Sequence, residues 1–133
     1  MSQANRIELQ GVLTGGPAGA SYFSSTLQEL LPLNFCDVYA SEKHGIITVN
    51  STDLAPFVLP FEGITKGRVI AFKILAGLSM KIAMTTGLGV NNVPCSDLFF
   101  LRARNPGDEV TAISLITAAQ PVDIAYLIAG DTS

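Results

Sequence analysis

The chain has 133 residues and a formal net charge of −3 at pH 7, and only 14% of its residues are charged. This length fits one domain that buries its own core, and it leaves no room for a second domain of similar size. The acidic balance argues against a sequence-independent nucleic-acid binder, because such a protein needs a basic stripe to neutralise phosphates.

The N-terminal third is the least regular part of the chain. A short alternating run, Arg6–Leu13, is followed by Thr14–Ser21, where glycine and proline disfavour both helix and strand. We expect this second segment to be an arm or a loop. The next one, Tyr22–Leu33, fits either a strand or one short helix over Ser25–Leu31, and a strand that carries a helical turn is favoured.

Strand signals recur from residue 34 at intervals of about ten residues, a spacing typical of sandwiches and barrels. Turn formers separate them in SEKHG, NSTD, PFEG, AG, GLGVNN, NPGDE and AAQP. We predict an all-β chain: a single domain, 1–133, with an antiparallel β-sandwich of jelly-roll type over 22–133 and a Gly/Pro-rich arm or loop within 1–21. The candidate strands are Asn34–Ala40, Gly45–Val49, Ala55–Leu59, Gly67–Leu75, Ser79–Thr86, Cys95–Arg102, Glu109–Thr117 and Val122–Ile128.

Two hairpins are expected within this series. The alternation in Arg68–Thr85 indicates two strands that turn at Gly77 and place their apolar side chains on one face. A second hairpin would pair Leu98–Arg104 with Glu109–Ile116. Its turn, NPGD, suits type II because Pro106 presets position i+1 and Gly107 accepts i+2.

The last strand is apolar on one face and nearly free of charge on the other, and the strand before it shows a similar alternation. This pattern suits a sheet whose second face is also covered, either by a second sheet or by a neighbouring subunit. The first face holds Val122, Ile124, Tyr126 and Ile128, and the other holds Asp123, Ala125 and Leu127.

The low charge content has a further consequence for the surface. A typical domain has roughly 25% charged residues, and a lone monomer uses them to discourage association. We therefore expect other subunits to bury part of this surface. The alternative is a monomer whose surface is Ser, Thr, Asn and Gly.

No group of residues in the sequence supports catalysis, a cofactor or a metal site. The one histidine, His44, lies in the turn-like SEKHG, where a solvated side chain is expected, and no GxSxG motif accompanies it. The acidic residues are spread over turns. GLGVNN lacks the third glycine and the following helix of a dinucleotide loop, so a plain loop is predicted there.

Cysteine usage and the chain start bear on the compartment. Cys36 and Cys95 fit neither a zinc spacing nor a CxxC motif, so both are expected to be reduced, half-buried side chains. The start MSQANRIELQ shows no secretory signal. Apolar runs fall far short of the ~18 residues of a membrane helix. We expect a soluble protein made in a cytoplasm, without membrane or nucleic-acid partners.

From about Gly67 to Gly130, the hairpins with PCSDLFFLRA, NPGDEV and ISLITAAQPVDIAYLIAGD resemble small all-β structural proteins of tailed bacteriophages. The resemblance covers about half the chain and lies in pattern more than in a diagnostic motif. It implies a virion protein with a structural role. A capsid decoration or cement protein is the first expectation, a tail, spike or host-recognition component the second, and a small hydrolase around His44 the third.

Such a role implies partners: other copies of the chain, and the major capsid protein or other virion proteins. A dimer or a trimer is expected, the trimer slightly preferred because capsid lattices offer threefold sites. An arm of this kind would lie along a neighbouring subunit and bind through its backbone. Its candidate contact residues are Gly15, Gly16, Pro17, Ala18 and Gly19.

Overall fold

The fold is taken from a computed structural model, which describes residues 5–9 and 35–132. The candidate contacts Gly15, Gly16, Pro17, Ala18 and Gly19 lie outside these residues, as does Tyr22–Leu33. Within the described ranges no residue is helical, and ten β-strands occur: β1 (Asn5–Leu9), β2 (Phe35–Tyr39), β3 (Ser41–Val49), β4 (Phe57–Val58), β5 (Lys66–Ala76), β6 (Met80–Thr86), β7 (Gly89–Cys95), β8 (Leu98–Arg102), β9 (Ala112–Ile116) and β10 (Val122–Asp131).

The strands form three antiparallel sheets. One, the front sheet, has the order β3-β10-β5-β8, and another, the back sheet, has the order β4-β9-β6-β7. The third pairs β1 with β2, from Asn5 opposite Tyr39 to Leu9 opposite Phe35. β1 therefore lies within residues 1–21, the range expected to hold the arm, and it is bonded to the strand that leads into the front sheet.

The two four-stranded sheets face each other across one hydrophobic core. Buried residues alternate with less buried ones along β6, β9 and most of β10, so period-two patterning converts directly into burial there. Phe72 of β5 is fully buried, and its ring centroid lies 6.4 Å from that of Phe99 on β8. The expected inward face of the last strand is confirmed, with Val122, Ile124, Tyr126 and Ile128 all buried.

The predicted hairpin in Arg68–Thr85 is wrong in its pairing. β5 lies in the front sheet and β6 in the back sheet, so the chain crosses the core between them. Gly77 makes this crossing with φ +104°, and a Cβ there would lie 2.9 Å from the Pro121 carbonyl oxygen. Both strands still turn their apolar side chains to the same core, which is why the alternation alone suggested a hairpin.

The second predicted hairpin is also wrong, although its turn is confirmed. β8 pairs with β5, and β9 pairs with β6 and β4. At the turn, Gly107 has φ +91° and the Asp108 N–H donates to the Asn105 carbonyl at 3.2 Å, as type II requires. A type II turn therefore does not by itself join two paired strands.

Two segments predicted as turns belong to strands. Ser41–Gly45 opens β3, and most of GLGVNN lies in β7, while the predicted strand Cys95–Arg102 is divided between β7 and β8. Both β3 and β7 are edge strands of their sheets. Edge strands carry polar and charged residues that discourage further pairing, and this composition resembles that of a turn.

Candidate interaction surfaces

The outward side of the front sheet is apolar at its centre. Pairing aligns Ile46, Ala125, Lys73 and Leu98 in one row across the four strands, and His44, Leu127, Ala71 and Phe100 in the next. Ile46 is 71% exposed and Leu98 is 65% exposed. We call Ile46, Ala71, Leu98, Ala125 and Leu127 the front face.

The middle of the front face is a shallow groove of about 360 Å³. It is lined by Ala71, Ala125 and Leu127 of the two central strands, with His44 on one side and Leu98 on the other. The small side chains of Ala71 and Ala125 leave a depression beside the larger Leu127 and Lys73. Such a surface offers shape and apolar area, the two properties that partner binding uses.

The charged groups around the front face are bonded to neighbouring side chains. Lys73 forms an ion pair with Asp97, and His44 Nδ1 lies 2.5 Å from Glu42 Oε1. Thr48 donates to Asp123 Oδ1 at 2.6 Å. Exposed contacts of this kind add little to stability, but they give the charged groups beside the apolar centre bonding partners.

A second surface lies at one end of the two sheets, where residues 50–56, 77–79 and 117–121 connect the strands. We call these three segments the loop end. Leu54 is 99% exposed and Leu78 is 73% exposed. A cleft of about 450 Å³ is lined by Leu78 together with Asp53 and Lys81, whose side chains are bonded at 2.7 Å.

A buried hydrogen-bond network fixes the shape of the loop end. The Ser51 N–H donates to Thr117 Oγ1 at 2.9 Å, and Ser51 Oγ donates to the Leu115 carbonyl at 2.7 Å. Ala118 and Ala119 have positive φ angles of 57° and 62°, a conformation that L-residues adopt at a cost. The Ala119 N–H bonds the Ser51 carbonyl at 2.8 Å, which holds that conformation in place.

The opposite end of the sheets carries a network of ion pairs. Arg68 donates two hydrogen bonds to Asp131 Oδ2, at 3.0 and 3.1 Å, and lies 3.7 Å from Glu109 Oε2. The pKa of Glu109 is held below its ordinary value, mainly by a hydrogen bond from its own backbone N–H, with help from the Gly107 N–H and from Arg68. The ionic contacts of this end therefore centre on Arg68.

The residues singled out from the sequence take the following places. His44 is exposed as expected, but it lies in β3 rather than in a turn. Cys95 is a free thiol that is fully buried instead of half-buried, and burial raises its pKa. The side chain of Cys36 lies outside the described ones. Among the described residues no group of three His, Cys, Asp or Glu side chains is placed to hold a metal ion.

Sequence reasoning missed the exposed residues that define both surfaces. Ile46 and Leu98 join Ala125 and Leu127 only through strand pairing, and Leu54 and Leu78 come to the same end of the sheets only through the fold. In the part of the chain that the structure describes, no helix has the length and apolar composition that a membrane span requires.

No family model matches the chain, and comparisons with curated proteins and with solved structures found no significant match.

Proposed function

We propose that the chain is a structural virion protein of a tailed bacteriophage, a capsid decoration protein that binds the major capsid lattice. It is made in the host cytoplasm and ends in the virion, and it works by binding other copies of itself and capsid subunits. In this proposal it performs no catalysis and uses no cofactor, metal, membrane or nucleic acid. The starting point is the resemblance of Gly67–Gly130 to such proteins.

The order of the strands supports a jelly roll, a fold found in viral capsid and lectin domains. Counting the eight strands β3 to β10, the first pairs with the last, the second with the seventh, the third with the sixth and the fourth with the fifth. These nested pairs alternate between the front and back sheets. One long hairpin folded over on itself produces this arrangement.

The observation that carries the functional proposal is the apolar character of two exposed surfaces, the front face and the loop end. Ile46, Leu54, Leu78 and Leu98 are each at least 65% exposed. Contiguous groups of large, exposed apolar side chains often mark sites of interaction with other molecules. In a chain with 14% charged residues, binding to a lattice and to other copies would remove these side chains from water.

The loop end is the surface proposed to touch the lattice. The test is cosedimentation of the purified chain with shells assembled from the major capsid protein alone. Leu54→Ser and Leu78→Ser are expected to reduce the bound fraction at least about tenfold, since each removes an exposed anchor. Leu88→Ser is the matched control, because Leu88 is 84% exposed but lies outside the loop end.

Two results would contradict this assignment. One is the absence of wild-type chain from the shell pellet at every concentration. The other is a loss of binding in Leu88→Ser as large as in Leu54→Ser, which would show that the assay senses general surface polarity rather than the loop end.

The cleft of the loop end favours one alternative, a tail, spike or host-recognition component that binds a ligand there. This alternative predicts a handful of copies per particle and binding to the host surface. A decoration protein predicts hundreds of copies and binding to shells. Copy number in the virion therefore separates the two.

The Gly15–Gly19 contact with a neighbouring subunit stays a proposal of its own. Deleting residues 1–20 removes this segment together with β1, yet it leaves both four-stranded sheets and every residue of their core cluster. We expect a folded chain that attaches to shells more weakly. Attachment as tight as that of the full chain would contradict a role for Gly15–Gly19, and failure to fold would show that β1 is needed for the sheets.

A further inference from the structure

We propose that the front face is the self-association surface, on which a second copy of the chain docks about a twofold axis that runs parallel to the strands between β10 and β5. The inference rests on the self-association included in the proposed function, and it adds the surface, the symmetry and the contacts. It follows from the order of strands in the front sheet and from the size of the side chains along each row.

A twofold axis in this position brings each strand over a different strand of the other copy. β10 lies over β5, and the edge strand β3 lies over the opposite edge strand β8. Because the axis follows the strands, residues stay in their own row. Ile46 then meets Leu98 of the second copy, and Leu127 meets Ala71 of the second copy.

These contacts are complementary in size. Leu127 is a large side chain in the middle of the groove, and Ala71, the residue it would meet, is the small one beside it. The symmetry makes the same contact twice, so each copy supplies one projection and one recess. At the two edges of the front face, its most exposed apolar side chains, Ile46 and Leu98, would cover each other.

The charges near the face are compatible with this contact. In its row, Lys73 would meet Ala125 of the second copy. Its ammonium already binds Asp97 beyond the groove, so its aliphatic stem can cover the small Ala125 while the charge stays in water. No unpaired charge would therefore be buried at the centre of the interface.

The available area suits a dimer of moderate affinity. Four strands about 4.8 Å apart and roughly 25 Å long give a footprint of about 500 Å² on each copy. Two copies would bury about 1,000 Å², which is the lower limit for a specific interface. We therefore expect a dissociation constant in the micromolar range rather than an obligate dimer.

Sedimentation velocity of the full chain between about 1 and 100 μM tests the proposal. The wild type is expected to pass from monomer to dimer across this range. Ile46→Lys and Leu98→Glu should each raise the dissociation constant at least about tenfold, whereas Leu88→Glu should not change it, because Leu88 is a more exposed leucine that lies outside the face. Circular dichroism and the urea midpoint check that each variant is folded.

A double variant tests the predicted contact itself. Ile46→Lys combined with Leu98→Glu places opposite charges against each other twice in the twofold dimer, so dimerisation should recover to within about tenfold of the wild type. Recovery indicates that Ile46 and Leu98 meet across the axis, because two substitutions that only made the face more polar would weaken dimerisation further than either one alone. Failure of the double variant to recover would overturn the proposed contact.

Other outcomes also decide the matter. A wild type that stays monomeric at about 100 μM overturns the proposal and leaves residues 10–34 or a capsid subunit as the occupant of the front face. A trimer overturns the twofold arrangement. A monomer that still cosediments with shells refutes only this inference, while a dimer that does not bind shells refutes only the decoration function.

Discussion

Replacing Thr117 by valine should destabilise the fold through one lost acceptor. Thr117 is 3% exposed, and its hydroxyl accepts a hydrogen bond from the buried Ser51 N–H at 2.9 Å. Valine keeps the shape but cannot accept this bond. The Ser51 carbonyl keeps its bond from the Ala119 N–H, so one buried donor alone loses its partner. Such a loss costs about 1–3 kcal/mol.

Urea unfolding at fixed protein concentration measures this cost. With a slope of about 2 kcal/mol per molar for a chain of this size, a loss of about 2 kcal/mol lowers the urea midpoint by about 1 M. Thr111→Val is the matched control, because Thr111 is exposed and bonds the Thr85 carbonyl with its hydroxyl. Its midpoint should change by less than about 0.3 M, the equivalent of ~0.5 kcal/mol. Equal midpoints for Thr117→Val and the wild type would refute the assigned role of Thr117 in the loop end.

Three further predictions concern the core and the ion-pair end. Gly130→Ala should lower the free energy of unfolding by more than about 3 kcal/mol, because the added Cβ would overlap the backbone of Lys66. Gly45→Ala is the control: its Cβ meets only ordinary contacts with Tyr126, so its stability should stay within about 1 kcal/mol of the wild type. Equal urea midpoints for the two variants would contradict this. Folding lowers the pKa of Glu109 from its ordinary 4.5, so its carboxylate stabilises the protein above that pH, and this stabilisation is lost as the pH falls through the lowered pKa. The free energy of unfolding of Glu109→Gln should therefore fall less steeply on acidification than that of the wild type. Parallel plots of unfolding free energy against pH for the two proteins would refute the assignment. Burial raises the pKa of the Cys95 thiol. In a Cys36→Ser background, a thiol reagent at about pH 8 should therefore label Cys95 at least tenfold more slowly in the native protein than in the unfolded one. Similar labelling rates would show that Cys95 is accessible in the native protein.

The inward faces of the strands could be predicted from the sequence because burial follows a period of two. The alternation of Val122–Ile128 selected the buried side chains of β10 correctly, and the type II turn at Pro106-Gly107 followed from backbone chemistry that is local to four residues. Both features depend on neighbours in the sequence alone.

The partners of each strand could not be predicted in this way. Alternation in β5 and β6 shows which side chains face the core, but it does not distinguish two strands of one sheet from two strands on opposite sides of that core. β5 in fact pairs with β8 and β10, which come much later in the chain. Edge strands were missed for a different reason, since the polar composition that protects β3 and β7 from further pairing is also that of turns.

The interaction surfaces were predicted only in part. The weak charge on the outward side of β10 indicated a covered second face, and Ala125 and Leu127 lie at the centre of the front face. Their neighbours Ile46 and Leu98 come from distant strands, so they could be assigned to this surface only after the register was known. Leu54 and Leu78 lie beside the predicted turns NSTD and AG, and nothing local shows that these two segments come to the same end of the sheets.

The central proposal is that a tailed phage encodes this chain as a capsid decoration protein. Its most direct test is the number of copies of the chain in purified particles of that proposed phage, measured by quantitative mass spectrometry against the major capsid protein. A decoration protein on the capsid lattice predicts hundreds of copies per particle. A handful of copies would instead assign the chain to the tail, and its absence from purified particles would contradict a structural role in the virion.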